Sequence, residues 1–353
     1  MKTVKRHASI LLVVIMLSTL FLGLVGCQKG EVAENAGSNQ QSNPSEGAKI
    51  SVTDMRGKTI ELDKPAEKIV CLLNSGLNDL YMLGAADKVV GIDEWTYTNE
   101  KTWNILSKID SRIAKKEIPA VDSNMEKIIS LNPDVVIIWA NDTEKIDALE
   151  GNGIKVVGIQ VNNFEEVYTK LNIIAELVGK EDRAEEITKY TTDTLKSISD
   201  KTSALADTDK KTGIFVWGAT KLDLAGNKST GHSILELCGV KDSASDITEE
   251  HFVAKMEDVI QWNPDAVLMW NITDLDPQDY FDDSQWSGVT AIKNKDVYEI
   301  PDDMTFYCDM WTVKYIYAAQ YFAKCVYPDI FTDVDMDSFR NNMMTELYGK
   351  TID

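Results

Sequence analysis

The chain has 353 residues, 44 % of them apolar and 26 % charged, enough for two globular cores of ordinary domain size. Its formal net charge is −21, and −24 once Lys2, Lys5 and Arg6 at the start are set aside. So acidic a surface argues against nucleic acid and other polyanions as partners.

Lys2, Lys5 and Arg6 precede an apolar run from Ile10 to Leu22, which leads into LVGC at residues 24 to 27. A basic start, a short apolar run and a small-residue end read as an export signal. The run is too short for a comfortable membrane span, and no later stretch reaches the ~18 apolar residues that a span needs. Residues 28 to 49 hold one sizeable aliphatic, Val32, among Asn, Gln, Ser and Gly. Such a segment cannot bury enough surface to fold and reads as a flexible tether.

ISVTDMRGKTIEL predicts two strands around an Arg56-Gly57 turn. KIVCLL follows as a strand, then a helix that starts at Asn74-Ser75 and stops at Gly84, then the strand KVVGI. A long polar and aromatic stretch runs from there to residue 124. MEKIISLNPDVVIIW supplies a helix and a strand, and a helix over 143 to 150 leads to a second KVVGI strand at 155 to 159. Residues 164 to 206 are helical with one break at Gly179; the second part, from Arg183 to about Ala204, predicts a helix ~30 Å long. GIFVW at 213 to 217 opens another α/β half, and DVYEIP at 296 to 301 is its last clear strand. Terminal helices are expected over about 309 to 326 and 336 to 347.

The two halves share landmarks. MEKIISLNPDVVIIW (125 to 139) and MEDVIQWNPDAVLMW (256 to 270) agree at eight of fifteen positions. SGLNDLYMLGAAD (75 to 87) likewise aligns with TGHSILELCGVKD (230 to 242) through Gly76 and Gly231, Leu80 and Leu235, Gly84 and Gly239, Asp87 and Asp242. Two matched landmarks in one order mean two similar lobes rather than a solenoid of many short repeats. Asn-Pro-Asp ends each repeated helix, because a residue before proline avoids the helical region. Helices alternating with continuous apolar strands predict mostly parallel sheets covered on both faces. The expected architecture is α/β: an export signal (1 to 27), a tether (28 to 49), an N-terminal lobe (50 to 163), a helical segment with the interlobe helix (164 to 206) and a C-terminal lobe (207 to 353).

Motifs of catalysis are missing: no GxSxG, HExxH or CxxC occurs. GNKSTGHS at 226 to 233 falls short of a phosphate loop because His232 stands where the lysine belongs, and an exported chain meets little ATP. The free N–H groups at this helix start, and at Ser75-Gly76, can still receive an oxygen-bearing ligand group. Cys71, Cys238, Cys308 and Cys325 match no zinc spacing and read as buried thiols, with a Cys308–Cys325 disulfide the alternative. Three histidines, one of them in the signal, are too few for a metal site of protein side chains alone. Trp95, Tyr97, Trp139, Trp217, Trp270, Tyr307 and Trp311 all fall at or after inferred strand ends, where open α/β sheets form crevices. Packing is the plain alternative for Trp139 and Trp270, which end matching strands. Arg56, Arg112, Arg183 and Arg340 are the only arginines after the signal, which disfavours a strongly anionic ligand in an arginine cage.

The strands SVTDMRGKTIELDKPAEKIVCL, the two NPD helices, LELCGVKDSASDI and WSGVTAIKNKDVYEIP, in this order, resemble the ABC-transporter substrate-binding proteins for iron-siderophores, haem and cobalamin. LVGC resembles a bacterial lipobox, which implies that Cys27 is lipidated and holds the chain to the membrane. The resemblance implies two lobes joined by one long rigid helix with ligand in the cleft between them, no cofactor, and an iron or cobalt chelate as cargo. It implies a monomer that delivers to a permease dimer with its ATPase. Trp95 and Trp139 match aromatic ligand contacts of cobalamin binders; Trp217 and His251 align with cleft positions, and the loop 302 to 311 with another contacting segment. Tyr97, His232, Tyr307 and Trp311 complete the candidate ligand set, with His232, His251 and Tyr307 the candidate axial ligands for haem. His251 replaces an aromatic, and the segment 91 to 124 is longer than in cobalamin binders. Glu126 and Glu257 match the carboxylates that dock onto the two permease subunits. A metal-cluster enzyme and a surface sensor or adhesin on the same fold are the rival readings.

Overall fold

The computed structural model describes residues 49 to 351 apart from Ser123, residues 272 to 274, Asp302, Asp303, Thr305 and Tyr307. The expected signal with Cys27, the tether up to residue 48, and Tyr307 therefore lie outside the described residues.

The described chain opens with β1 (Ile50–Thr53) and β2 (Thr59–Leu62), an antiparallel pair with Ile50 opposite Leu62 and a strict alternation of buried and exposed residues. Gly57 supplies the positive φ of 81° in the turn, and the Asp54 carboxylate accepts from the Arg56 and Lys58 amides at 2.9 and 3.0 Å. β3 (Ile69–Cys71), α1 (Asn74–Met82) and β4 (Val89–Ile92) follow as expected, and Gly84 stops the helix with φ 71°. The polar stretch after β4 is not structureless: it folds into α2 (Trp95–Thr98), α3 (Glu100–Ile109) and α4 (Ser111–Ala114). Asn99 and Asp110 cap α3 and α4 by accepting from the Thr102 and Arg112 amides, and Leu106 and Ile113 are the buried anchors.

α5 (Met125–Ser130), β5 (Val135–Trp139), α6 (Thr143–Gly151) and β6 (Val156–Ile159) complete the first sheet, which is wholly parallel in the order β4-β3-β5-β6. α7 (Phe164–Val178) is capped by Asn163 and ends at Gly179 with φ 66°. α8 (Glu181–Ser203) runs 23 residues, about 35 Å, between the two sheets in the chain.

The second sheet takes β7 (Thr212–Val216), β8 (Asp223–Ala225), β9 (Lys241–Asp242), β10 (His251–Val253), β11 (Ala266–Met269) and β12 (Val297–Glu299), with α9 (Thr230–Leu237), α10 (Met256–Trp262), α11 (Pro277–Phe281) and α12 (Thr290–Asn294) between them. Its order is β10-β8-β7-β11-β12, with β9 also on β7; β7, β9, β11 and β12 are parallel, β8 antiparallel to its neighbours. α13 (Tyr315–Val326) and α14 (Met336–Tyr348) end the chain. The expected helix from residue 309 starts only at Tyr315, because the Asp309 carboxylate accepts from the Trp311 amide at 2.9 Å and folds the segment into a turn.

Asn132 and Asn263, which precede the prolines of the repeat, both adopt left-handed conformations, φ 47° and 45°. A residue before proline is pushed out of the right-handed helix, and asparagine tolerates the left-handed one, so each NPD stops its helix in the same way. One continuous apolar cluster joins Ile69, Ile137, Leu171 and Ile174 to Phe215, Leu235, Phe322 and Met343. α7, α8, α13 and α14 thus weld the two α/β lobes into one body rather than leaving them on a hinge.

Candidate functional site

The parallel strands of both sheets reverse their winding direction at one place. β3 leads through α1 to β4 on one side, while β5 lies on the other; β7 leads through α9 to β9 on one side, while β11 lies on the other. Crevices of open α/β sheets form at such switch points, at the carboxyl ends of the strands. Trp139 is the last residue of β5, Trp217 directly follows β7, and Trp270 directly follows β11.

These rings meet. Trp311, from the turn before α13, lies edge-on to Trp139 at 5.8 Å and edge-on to Trp217 at 6.3 Å. Trp217 is stacked between His251 at 4.6 Å and Trp270 at 6.3 Å. A train of five rings therefore runs from a strand end of the first lobe to strand ends of the second, with Trp311 as the bridge. Trp311 is 39 % exposed, and Trp139, Trp217, Trp270 and His251 are half-buried, so the wall has an open face. Burial lowers the His251 pKa below its ordinary value, leaving a neutral imidazole at neutral pH.

A polar cavity of about 450 Å³ opens between residues of the two lobes, and Glu250 on its wall is the chain neighbour of His251. Asn162 and Asn163 line the cavity from the loop between β6 and α7, and Asn227, Lys228, Ser229, Ser233 and Glu250 from the second lobe. Of the two helix starts expected to face a ligand, α9 is closed by its own Ser229, whose hydroxyl accepts from the His232 amide at 3.1 Å. α1 has no side-chain cap, and the buried Asn74 Nδ2 and Ser75 Oγ make no hydrogen bond among the described residues.

The remaining candidates lie apart from the train. Trp95 stands on α2, 57 % exposed, without a ring contact among the described residues. Tyr97 donates its hydroxyl to the Ile118 carbonyl at 2.7 Å and lies under the Lys116 ammonium. His232 is committed within its own lobe, with Nδ1 2.6 Å from Asp242 and Nε2 3.6 Å from Glu236; the hydrogen bond to Asp242 raises its pKa. Glu126 and Glu257 are exposed on α5 and α10. The four cysteines are free thiols, Cys308 and Cys325 included, and the described residues hold no cluster of three metal-ligating side chains.

A buried polar network links α1 to α7 and to the turn that carries Trp311. Lys170 of α7 pairs with Asp79 of α1, both side chains fully buried, and also donates to the Ser75 carbonyl at 3.1 Å. Lys314 donates to Asn78 Oδ1 at 3.1 Å and to the Phe306 carbonyl at 2.6 Å, and Tyr348 donates to the same Asn78 oxygen at 2.6 Å. The turn that carries Trp311 is thereby tied to α1 of the other lobe. Burial pushes Asp79 up to about 6, against the pull of the Lys170 ammonium, and pushes Lys314 down to about 8.

A family model described as Periplasmic binding protein matches residues 69 to 304, two thirds of the chain. The chain belongs to the periplasmic binding protein family. An ABC transporter substrate-binding lipoprotein of Bacillus subtilis, YvrC, is 26 % identical to this binding protein, over 80 % of this chain and 87 % of its own. The iron(3+)-hydroxamate-binding protein FhuD of the same organism is 24 % identical over 82 % and 89 %, and the molybdate-binding protein MolA of Haemophilus influenzae 23 % over 84 % and 90 %. A periplasmic solute-binding protein of Veillonella parvula has the same fold, with a TM-score of 0.71 at 22 % identity over 87 % and 94 % of the two chains. As a member of this family it is the extracytoplasmic substrate-binding component of an ABC importer, works with a permease and an ATPase, and binds a transported small molecule rather than using a cofactor. It is a binding protein, not an enzyme. No helix among the described residues is long and apolar enough to cross a membrane.

Proposed function

We propose that this binding protein carries an iron or cobalt chelate, a siderophore complex, haem or cobalamin, with the chelate's flat or greasy face against the ring train Trp139–Trp311–Trp217–His251. The observation that carries the reading is the meeting of these rings across the two lobes, with an open face. Aromatic faces suit flat and apolar ligand surfaces. The polar cavity lined by Asn162, Asn163, Asn227 and Lys228 would take the hydrogen-bonding groups of the same ligand, and the uncapped start of α1 one of its oxygens.

A bare oxyanion is the second reading, favoured by the relative named for molybdate. The arginines weigh against it. Arg56 pairs with Asp54 and Glu150, Arg112 with Asp110, Arg183 with Glu186 and Arg340 with Asp337, which leaves no bidentate anion clamp among them for the cleft. If the cargo is haem, His251 is the stronger axial candidate of the two described histidines, because both His232 nitrogens face carboxylates of its own lobe. On this reading the chain is a monomer, Cys27 carries the lipid that holds it to the membrane, and Glu126 and Glu257 dock it onto the permease.

The triple variant Trp139/Trp217/Trp311→Ala tests the wall. Each stacked ring contributes roughly 0.5–1.5 kcal/mol beyond its buried area, so the variant should bind the chelate at least ~10-fold more weakly. A folded triple variant with unchanged affinity would place the rings in packing and the cleft elsewhere.

A further inference from the structure

Among the described residues five large apolar side chains are exposed: Trp95, Ile129, Val253, Ile260 and Trp311. Ile129, 41 % exposed, and Ile260, 56 % exposed, hold the same place in the two copies of the repeated segment, the fifth residue of MEKII and of MEDVI. A single exposed isoleucine is ordinary. The same residue exposed at the same place in both lobes asks for a reason. Val253, by contrast, aligns with Asp122 and has no such counterpart.

The surroundings repeat as well. Ile128 and Val259, one residue earlier, are buried and seat α5 and α10 on their lobes, while Glu126 and Glu257, three residues earlier, are exposed. Positions three apart on a helix are neighbours on one face, so each isoleucine stands beside its glutamate. Neither glutamate side chain makes a hydrogen bond or ion pair among the described residues. Both helices stop at a left-handed asparagine, so the two surfaces agree in backbone as well as in side chains. Lys127 and Asp258, or Ser130 and Gln261, differ between the copies.

A surface written twice in one chain fits a partner that offers one face twice. We propose that Ile129 and Ile260 are paired apolar anchors, beside Glu126 and Glu257, for a permease assembled from two copies of one chain, each copy presenting a cationic side chain next to a shallow apolar socket. The proposal rests on the docking reading of the two glutamates. Exposed, unpaired carboxylates on a chain of net charge −21 select a basic partner surface and speed encounter. Charge alone tolerates several registers; a branched side chain in a socket excludes water and holds one.

The test uses the full chain in the membranes of the cell that makes it. A photo-crosslinking residue replaces Ile129 or Ile260, with the exposed Lys189 of α8 as control. Positions 129 and 260 should attach to one and the same membrane polypeptide, and position 189 to none. Attachment to two different polypeptides, or from one position alone, overturns the two-copy partner. Ile129→Ser and Ile260→Ser should each weaken docking about 10-fold with ligand affinity unchanged. If Glu126→Gln with Glu257→Gln weakens docking while the isoleucine variants do not, the anchors are refuted and the docking reading stands. If neither pair of changes alters docking, both are refuted.

Discussion

Asp79→Ala is the sharpest probe of how α7, one of the joining helices, is fixed to α1 of the first lobe. The Asp79 and Lys170 side chains are fully buried, and among the described residues the Ser75 carbonyl is the one other hydrogen-bond partner of Lys170. Removing the carboxylate leaves an ammonium in the interior, a change that costs about 3–5 kcal/mol in comparable buried pairs. With an unfolding entropy of ~2.1 cal/mol/K per residue over the described body, this lowers Tm by about 5–8 °C. Replacing both members with apolar residues of similar size, Asp79→Leu with Lys170→Met, should restore most of the loss, since burial of the charges costs as much as their pairing returns. Calorimetry or thermal circular dichroism on the three proteins reads the effect. A single variant destabilised by less than ~1 kcal/mol, or a double variant no better than the single, would show that the pair is not dry and that the seat of α7 on α1 is misread.

Lys314→Met should loosen the turn carrying Trp311 and weaken ligand binding, read by titration of folded variant and parent. The same variant isolates a pH dependence. Burial holds the folded pKa near 8, against 10.5 for an ordinary lysine. A depressed pKa means stability present above 10.5 and lost as pH falls toward 8, so wild type relative to variant should gain stability between these values and a flat difference would contradict the burial of a charged Lys314. Cys27→Ser should release the protein from the membrane or leave an unprocessed precursor, because stable anchoring needs acyl chains; correctly processed variant still membrane-bound at wild-type level in a fractionation would refute the anchor.

The duplicated NPD segments were legible because proline and asparagine act locally: each ends its helix by its own backbone preference, wherever the helix sits. The strand-end tryptophans were legible for a similar reason, since a switch point follows from strand order and the ring follows the strand. Trp270 belongs to the train although the candidate ligand set left it out; its place at a strand end and its match to Trp139 were the available signals. What could not be read was set by tertiary contacts. α2 and α4 span four residues each, too few for periodicity to accumulate, whereas α3 does carry an apolar stripe in Trp103, Leu106 and Ile109, and the caps Asn99 and Asp110 mark where α3 and α4 begin. Lys170 and Lys314 carry no mark of burial in the sequence, and nothing near them names Asp79 or Asn78, ninety and more residues away. Trp95 and Tyr97 share the aromatic pattern of the cleft residues, yet one is left outside the train and the other is held by a backbone carbonyl.

The most direct test of the chelate reading is a tryptophan-quenching titration of the mature protein against an iron-hydroxamate, haem, cobalamin and molybdate. The ring train predicts saturable quenching by at least one of the three chelates, at concentrations where molybdate has no effect. Saturable binding of molybdate with none of the chelates would contradict the account.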